Sequence, residues 1–179
     1  LGKNNKVKNE IEAEQYLTNG NKKKSIEKYK EAEDIYRALK ISFKSQTLGD
    51  EVSKVFIREM IAKRKQLSIF SPYRIASKLA HITTGYGEKI SNIIYTAIAI
   101  IIVSAFLFGI AGVSYQNLNF SLFNNVEEFG GYINVLTNLL YFSVVVFSTV
   151  GFGDIVPINL LGKFIVIIEG LIGTLILSI

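Results

Sequence analysis

The sequence predicts an all-α chain: a soluble helical region, then a membrane region in which two transmembrane helices flank a short re-entrant helix. Three observations predict it. Of the 20 Lys and Arg residues, all but Lys163 lie at or before Lys89, so residues 1–89 hold 19 basic and 11 acidic residues and residues 90–179 hold 1 and 4. Two apolar runs, from Ile93 to Val113 and from Lys163 to Ile179, are long enough to cross most of a hydrocarbon core, which takes about 20 residues. Between them a third run, Leu136 to Ser148, has only about 13 residues and is too short to span.

In the basic half, Lys6 to Thr18, Lys22 to Gln46 and Asp50 to Leu67 read as helices rich in Lys, Glu, Ala and Leu. Asn19-Gly20-Asn21 and Leu48-Gly49-Asp50 punctuate them. Ala13 and Tyr16 before the first turn, and Ser25, Tyr29 and Ala32 after it, put small and aromatic residues where two antiparallel helices would meet. A second passage pairs Tyr36, Leu39 and Phe43 with Val52, Phe56 and Met60. The pattern loosely resembles tetratricopeptide helical hairpins, although its turn glycines are 29 apart against a repeat of about 34. An ordinary helical bundle accounts for it equally.

Ile69, Phe70, Tyr73, Ile75, Ala76, Leu79 and Ile82 interleave with Arg74, Lys78 and Lys89, the pattern of an amphipathic segment lying on a membrane face. Cations just before a first span orient it with that side cytoplasmic and attract anionic headgroups. Lys63-Arg64-Lys65 is read in the same way, and nucleic acid is not expected as a partner. The chain has no cysteine, which excludes disulfides and thiolate metal sites, and its one histidine, His81, has no second ligand near it in sequence. No nucleophile–histidine–acid grouping, metal spacing or phosphate loop points to an enzyme, and no cofactor is expected. The chain begins on Leu1 and stops inside an apolar run at Ile179, so we read it as a piece of a longer protein.

From Ser91 to Val126 there is no charge, and the first part of this stretch is the first span. Tyr115 to Gly131 then turns polar, with Glu127 and Glu128 its only charges. The short apolar run must dip into the membrane and return, and irregular backbone after it is tolerated only where it is buried in protein or lines water. Directly after that run comes Thr149-Val150-Gly151-Phe152-Gly153-Asp154. Alternate glycines can take left-handed dihedrals that point successive carbonyls one way. Such a row of carbonyls at membrane depth can replace the hydration shell of a potassium ion.

Span, loop, half-helix, Thr-Val-Gly-Phe-Gly-Asp and span together resemble the two-transmembrane prokaryotic potassium channels over residues 90–179. The resemblance implies a homotetramer, since one chain has one motif, and potassium as the permeant ion at Thr149, Val150, Gly151 and Phe152, with Gly153 completing the filter. With it the chain reads as a cytoplasmic helical region (1–68), a basic interfacial segment (69–89) and, where the resemblance lies, a pore domain (90–179). Within the last it places an outer helix at about 91–114, a pore helix at about 136–148, the filter at 149–154 and a truncated inner helix at about 160–179. Filter support would come from Asp154, Tyr141, Phe142 and Val145. Phe152 stands for the usual tyrosine, Tyr141-Phe142 for paired tryptophans, and Val145 where some members carry a glutamate, so the polar brace reduces to Asp154 with the Tyr141 hydroxyl. Glu169 either bonds to the back of the pore helix or faces the ion path, and Gly173 is either the family's hinge position or a packing glycine with Gly170.

A similar-looking stretch, Thr83-Thr84-Gly85-Tyr86-Gly87-Glu88, follows cations instead of an apolar half-helix and is read as a turn before the first span. The expected localisation is the cell membrane, multi-pass, with a cytoplasmic N-terminus, and a protein or ligand partner would act on the helical region. Two alternatives stay open: a weakly selective cation channel, and a membrane-anchored helical scaffold without conduction.

Overall fold

In a computed structural model the chain forms two compact units, residues up to Asn92 and Ile93–Ile179. The structure describes residues 5–46, 48–116 and 118–179; the first four residues of the expected helical region, Thr47, and Asn117 of the expected polar loop lie outside them.

The first unit is built on α1 (Lys8–Thr18), α2 (Lys22–Ser45), α3 (Gly49–Gln66) and α4 (Pro72–Thr83). Asn21 opens α2 by accepting from Lys24 N, and Gly20, at φ 75°, makes the turn a side chain would resist. Ala13, Ser25, Tyr29 and Ala32 are buried, as their spacing predicts, and the Ser25 hydroxyl donates to the Ala13 carbonyl at 2.8 Å. That contact is only possible because both residues are small.

On α3 the buried face is Val55, Glu59 and Ala62, one residue round from the Val52–Phe56–Met60 stripe the sequence suggests. Ion pairing decides this. Glu59 accepts from Lys40 at 2.6 Å and Arg37 at 3.3 Å, and Arg37 also holds Glu33 at 2.7 Å. Gln66 donates to the other oxygen of Glu33 at 2.6 Å. Buried carboxylates are costly unless paired and hydrogen-bonded, so α2 and α3 lock where these partners coincide.

Glu10, 2 % exposed, plays the same part for α1. It accepts from the Tyr36 hydroxyl and, at 3.5 Å, from Arg58, joining α1, α2 and α3. The Tyr36 oxygen also accepts from Val7 N at 3.0 Å. Burial, and then the bond to Glu10, push the Tyr36 phenol well above its usual range, so it remains a donor at physiological pH.

α4 buries nothing within its unit. Proline at its first position suits a helix start, and Phe70, Tyr73, Ile75, Leu79 and Ile82 are all exposed.

The second unit holds α5 (Ile90–Ala111), α6 (Tyr132–Phe147) and α7 (Leu160–Leu177). α5 and α7 are long and apolar enough to cross a membrane, and α6 is not. The half-helix starts four residues earlier than expected, at Tyr132, because Gly131 at φ 93° turns the chain into it. A small three-stranded sheet modifies the all-α expectation: β1 (Val113–Tyr115) lies between β2 (Leu118–Phe120) and β3 (Ile155–Pro157), both antiparallel to it. Three-residue strands carry too little alternation to be seen in sequence. Pro157, which lacks an N–H, is tolerated because β3 is an edge strand.

Phe108, Val113, Phe120, Val135, Leu139, Phe142 and Ile155 form the core under this sheet. Asn159 ties the unit's ends together. Its side chain accepts from Gly162 N at 2.8 Å, which caps α7. The same side chain donates to the Ala111 carbonyl at the end of α5 at 2.5 Å.

Replacing Tyr36 by Phe leaves the Val7 N–H without its acceptor and takes a donor from buried Glu10. We expect a loss of about 1–3 kcal/mol, read as a lower denaturation midpoint for the purified chain in detergent; an unchanged midpoint would show that the Tyr36–Glu10 bond is not what holds α1.

Candidate functional site

The loop that leaves α6 is organised by alternation of backbone hand. Thr149, Gly151 and Gly153 take φ of 59°, 61° and 75°, whereas Val150 and Phe152 stay at negative φ. Alternating hand rotates successive peptide planes so that their carbonyls face one side. A Cβ at Gly151 or Gly153 would meet nothing within 4 Å, so these positions need glycine for its conformation and not for lack of space. Thr149 takes the same hand at a cost of about 1–2 kcal/mol.

The last turn of α6 offsets that cost. Thr149 N donates to the Val146 carbonyl at 3.0 Å and Val150 N to the Val145 carbonyl at 3.1 Å. The Thr149 hydroxyl donates to the Ser148 carbonyl at 2.7 Å. Both amides thereby consume carbonyls that a helix end leaves orphaned. At the far end of the loop, Ile155–Pro157 is pinned to Val113–Tyr115 in the sheet.

Of the residues expected to support the loop, Tyr141 and Asp154 meet directly: the Tyr141 hydroxyl donates to Asp154 Oδ2 at 2.9 Å. Val145 is buried and contributes its carbonyl to Val150 instead of a polar side chain. The Phe142 ring packs on Phe108 of α5, with centroids 4.6 Å apart. It holds α6 to α5, so its support for the loop is indirect.

Glu169 and Gly173, one turn apart on α7, face Ser143 and Phe147, one turn apart on α6. The Ser143 hydroxyl lies 2.5 Å from Glu169 Oε1, and Glu169 is 2 % exposed. A side chain at Gly173 would run into the Phe147 carbonyl oxygen, so the two backbones touch there. At Gly170 the nearest atom to such a Cβ is the Val146 carbonyl oxygen, at 3.9 Å, so Gly170 leaves room that Gly173 does not. Sequence reasoning missed Ser143 and Asn159, lone polar residues in apolar or loop surroundings. The only available signal was that a hydroxyl inside an apolar helix needs a partner.

The Thr83–Glu88 stretch differs in the property that matters. Gly85, Tyr86 and Gly87 are all left-handed in succession, at 59°, 62° and 85°, which makes a turn and not a row of carbonyls. The Tyr86 hydroxyl lies 2.9 Å from Ser77 Oγ and accepts from Arg64 at 3.2 Å, and its ring stacks on His81. Burial, then the nearby Arg64 and Lys89 cations, hold the His81 imidazole below its ordinary range. Among the described residues no group of three His, Cys, Asp or Glu side chains could hold a metal.

Gly173→Ala would place a methyl group on the Phe147 carbonyl, and overpacking of that kind costs about 1–3 kcal/mol. We expect Gly173→Ala to lower the melting temperature of the detergent-solubilised chain measurably and Gly170→Ala to leave it nearly unchanged. Equal effects at the two positions would contradict the close approach.

Set beside known proteins, residues 101–179 match the family model Ion_trans_2, described as Ion channel. No curated protein and no solved structure gives a significant match to the chain.

Proposed function

We propose that the chain is the bilayer-associated subunit of a potassium-selective pore; the match of residues 101–179 to the ion-channel family model and two helices long and apolar enough to cross a membrane support this reading. The observation that carries the proposal is the alternation of hand from Thr149 to Gly153 at the end of a half-helix too short to span. The carbonyls of Thr149, Val150, Gly151 and Phe152 stand in for the hydration shell of the ion. The C-terminal end of α6 carries a partial negative charge that favours a cation beside it.

One chain contributes one row of carbonyls, and enclosing an ion takes four, so the conducting form is a homotetramer. In the single chain Val150 and Phe152 are 55 % and 68 % exposed. That is apolar surface at the loop, which neighbouring copies would cover. The cations between Lys63 and Lys89, just before the first span, support a cytoplasmic N-terminal unit. The open apolar face of α4, with Arg74 and Lys78 beside it, rests on the headgroups there. Glu127, Glu128 and Asp154 then leave the outer mouth acidic and raise the local cation concentration.

A second reading, a weakly selective cation channel, is favoured by one observation: Phe152 brings no hydroxyl to the filter, and the polar brace on it is the Tyr141–Asp154 bond. Reconstitution in planar bilayers under mixed potassium and sodium separates the readings. We expect reversal near the potassium equilibrium potential, and loss of current in Gly151→Ala and Gly153→Ala. Reversal near zero would establish the weakly selective channel, and no current under any gradient would leave a non-conducting scaffold.

Tyr141→Phe tests the brace. It should speed slow inactivation several-fold and move the reversal potential toward that of sodium; unchanged inactivation and selectivity would remove Tyr141 from the filter's support.

A further inference from the structure

Ser143 sits between three helices and has one hydrogen to give. Its oxygen is 2.9 Å from the Ile101 carbonyl of α5 and 2.5 Å from Glu169 Oε1 of α7. A carbonyl only accepts, and an ionised carboxylate only accepts, whereas a hydroxyl donates once and can accept through its lone pairs. With an ionised Glu169 the single hydrogen of Ser143 would have to be shared between two acceptors; two full bonds form together when Ser143 donates to Ile101 and the Glu169 carboxyl donates to Ser143.

The surroundings agree with a neutral carboxyl. Glu169 is buried and forms no ion pair with any described residue; the buried Ser104 hydroxyl faces it from α5, and either form of the acid can accept its hydrogen. Its Oε2 has no hydrogen-bond partner among the described residues. An unpartnered carbonyl oxygen of a neutral acid is tolerable there, and an unpartnered carboxylate oxygen in an apolar site is far more costly. Intramembrane acids mark function by default.

We propose that Glu169 is a proton-bearing strut that ties α7 to α6 and α5 through Ser143, making it a positioning residue for the loop after α6 and not part of the ion path. Ser143 lies two and three residues before the residues whose carbonyls hold that loop, Val145 and Val146, and Phe147 beside them touches Gly173. A movement of α7 is therefore passed to the start of Thr149–Asp154 through two adjacent contacts. The inference rests on the reading of that loop as a filter, and it adds what couples α7 to it.

The test is single-channel recording of the whole chain in bilayers with Glu169→Gln, Glu169→Ala and Ser143→Ala. Glutamine keeps a donor without a charge, so we expect Glu169→Gln to retain unitary current and open probability within about twofold, as one preserved hydrogen bond allows. Glu169→Ala and Ser143→Ala should each lower open probability about tenfold, the scale of one lost buried hydrogen bond, with unitary current unchanged. A glutamine variant as impaired as the alanine variant overturns the donor role. A reduced unitary current in Glu169→Gln places the residue in the ion path and overturns the strut, as does an alanine variant that gates like the native chain.

If the native chain carries no current, the filter reading fails. The strut is then judged by a double-mutant cycle of Glu169→Ala and Ser143→Ala on the thermal unfolding of the detergent-solubilised chain. Non-additive losses support it and additive losses overturn it. The same cycle decides the matter if Glu169→Ala alone is too unstable for recording.

Discussion

A backbone that leaves its helix inside a membrane region must find partners for its amides and a use for its carbonyls, because hydrocarbon supplies neither. The second unit is arranged around this constraint. The amides of Thr149 and Val150 return to the Val146 and Val145 carbonyls, and the chain beyond Asp154 is paired into a sheet with Val113–Tyr115. Between the two anchors the backbone alternates in hand, left-handed at Thr149, Gly151 and Gly153 and not at Val150 and Phe152. The ion-channel family match falls on this part of the sequence.

The helices serve those anchors. α5 meets α6 through Phe108 and Phe142, and α7 meets it through Glu169 and Gly173. Asn159 clamps the end of α5 to the start of α7, so the strands and the half-helix are held in one closed frame. Within the first unit a different balance operates. Its apolar core is small, and three buried glutamates, Glu10, Glu33 and Glu59, choose the register of the helices through their cations and hydroxyls. Removing one partner of such a network is strongly destabilising because it leaves a buried charge uncompensated.

Much of this was legible from residues alone. The charge break at Lys89, the spans and the shortness of the third apolar run place the helices to within a few residues. The glycines at 151 and 153 announce left-handed backbone, since a side chain there would be strained. Thr83–Glu88 shows the limit of that signal: its glycines also turn left-handed, but so does Tyr86 between them, and the succession makes a turn. The α3 stripe was misplaced by one residue for a related reason. Hydrophobic spacing cannot weigh a buried Glu59 whose partners, Arg37 and Lys40, lie on another helix.

By itself the sequence determined what depends on neighbouring residues: helix lengths, the half-helix, the conformational demand of two glycines, and the charge asymmetry. Tertiary structure alone decided the partners. Ser143 reaches Glu169 across 26 positions, Tyr141 reaches Asp154 across 13, and Val113 pairs with Pro157 across the short sheet. Local preference is written in short-range sterics and periodicity. A hydrogen-bond partner for a buried polar group is chosen by which helices pack together, and that choice exists only once they have packed.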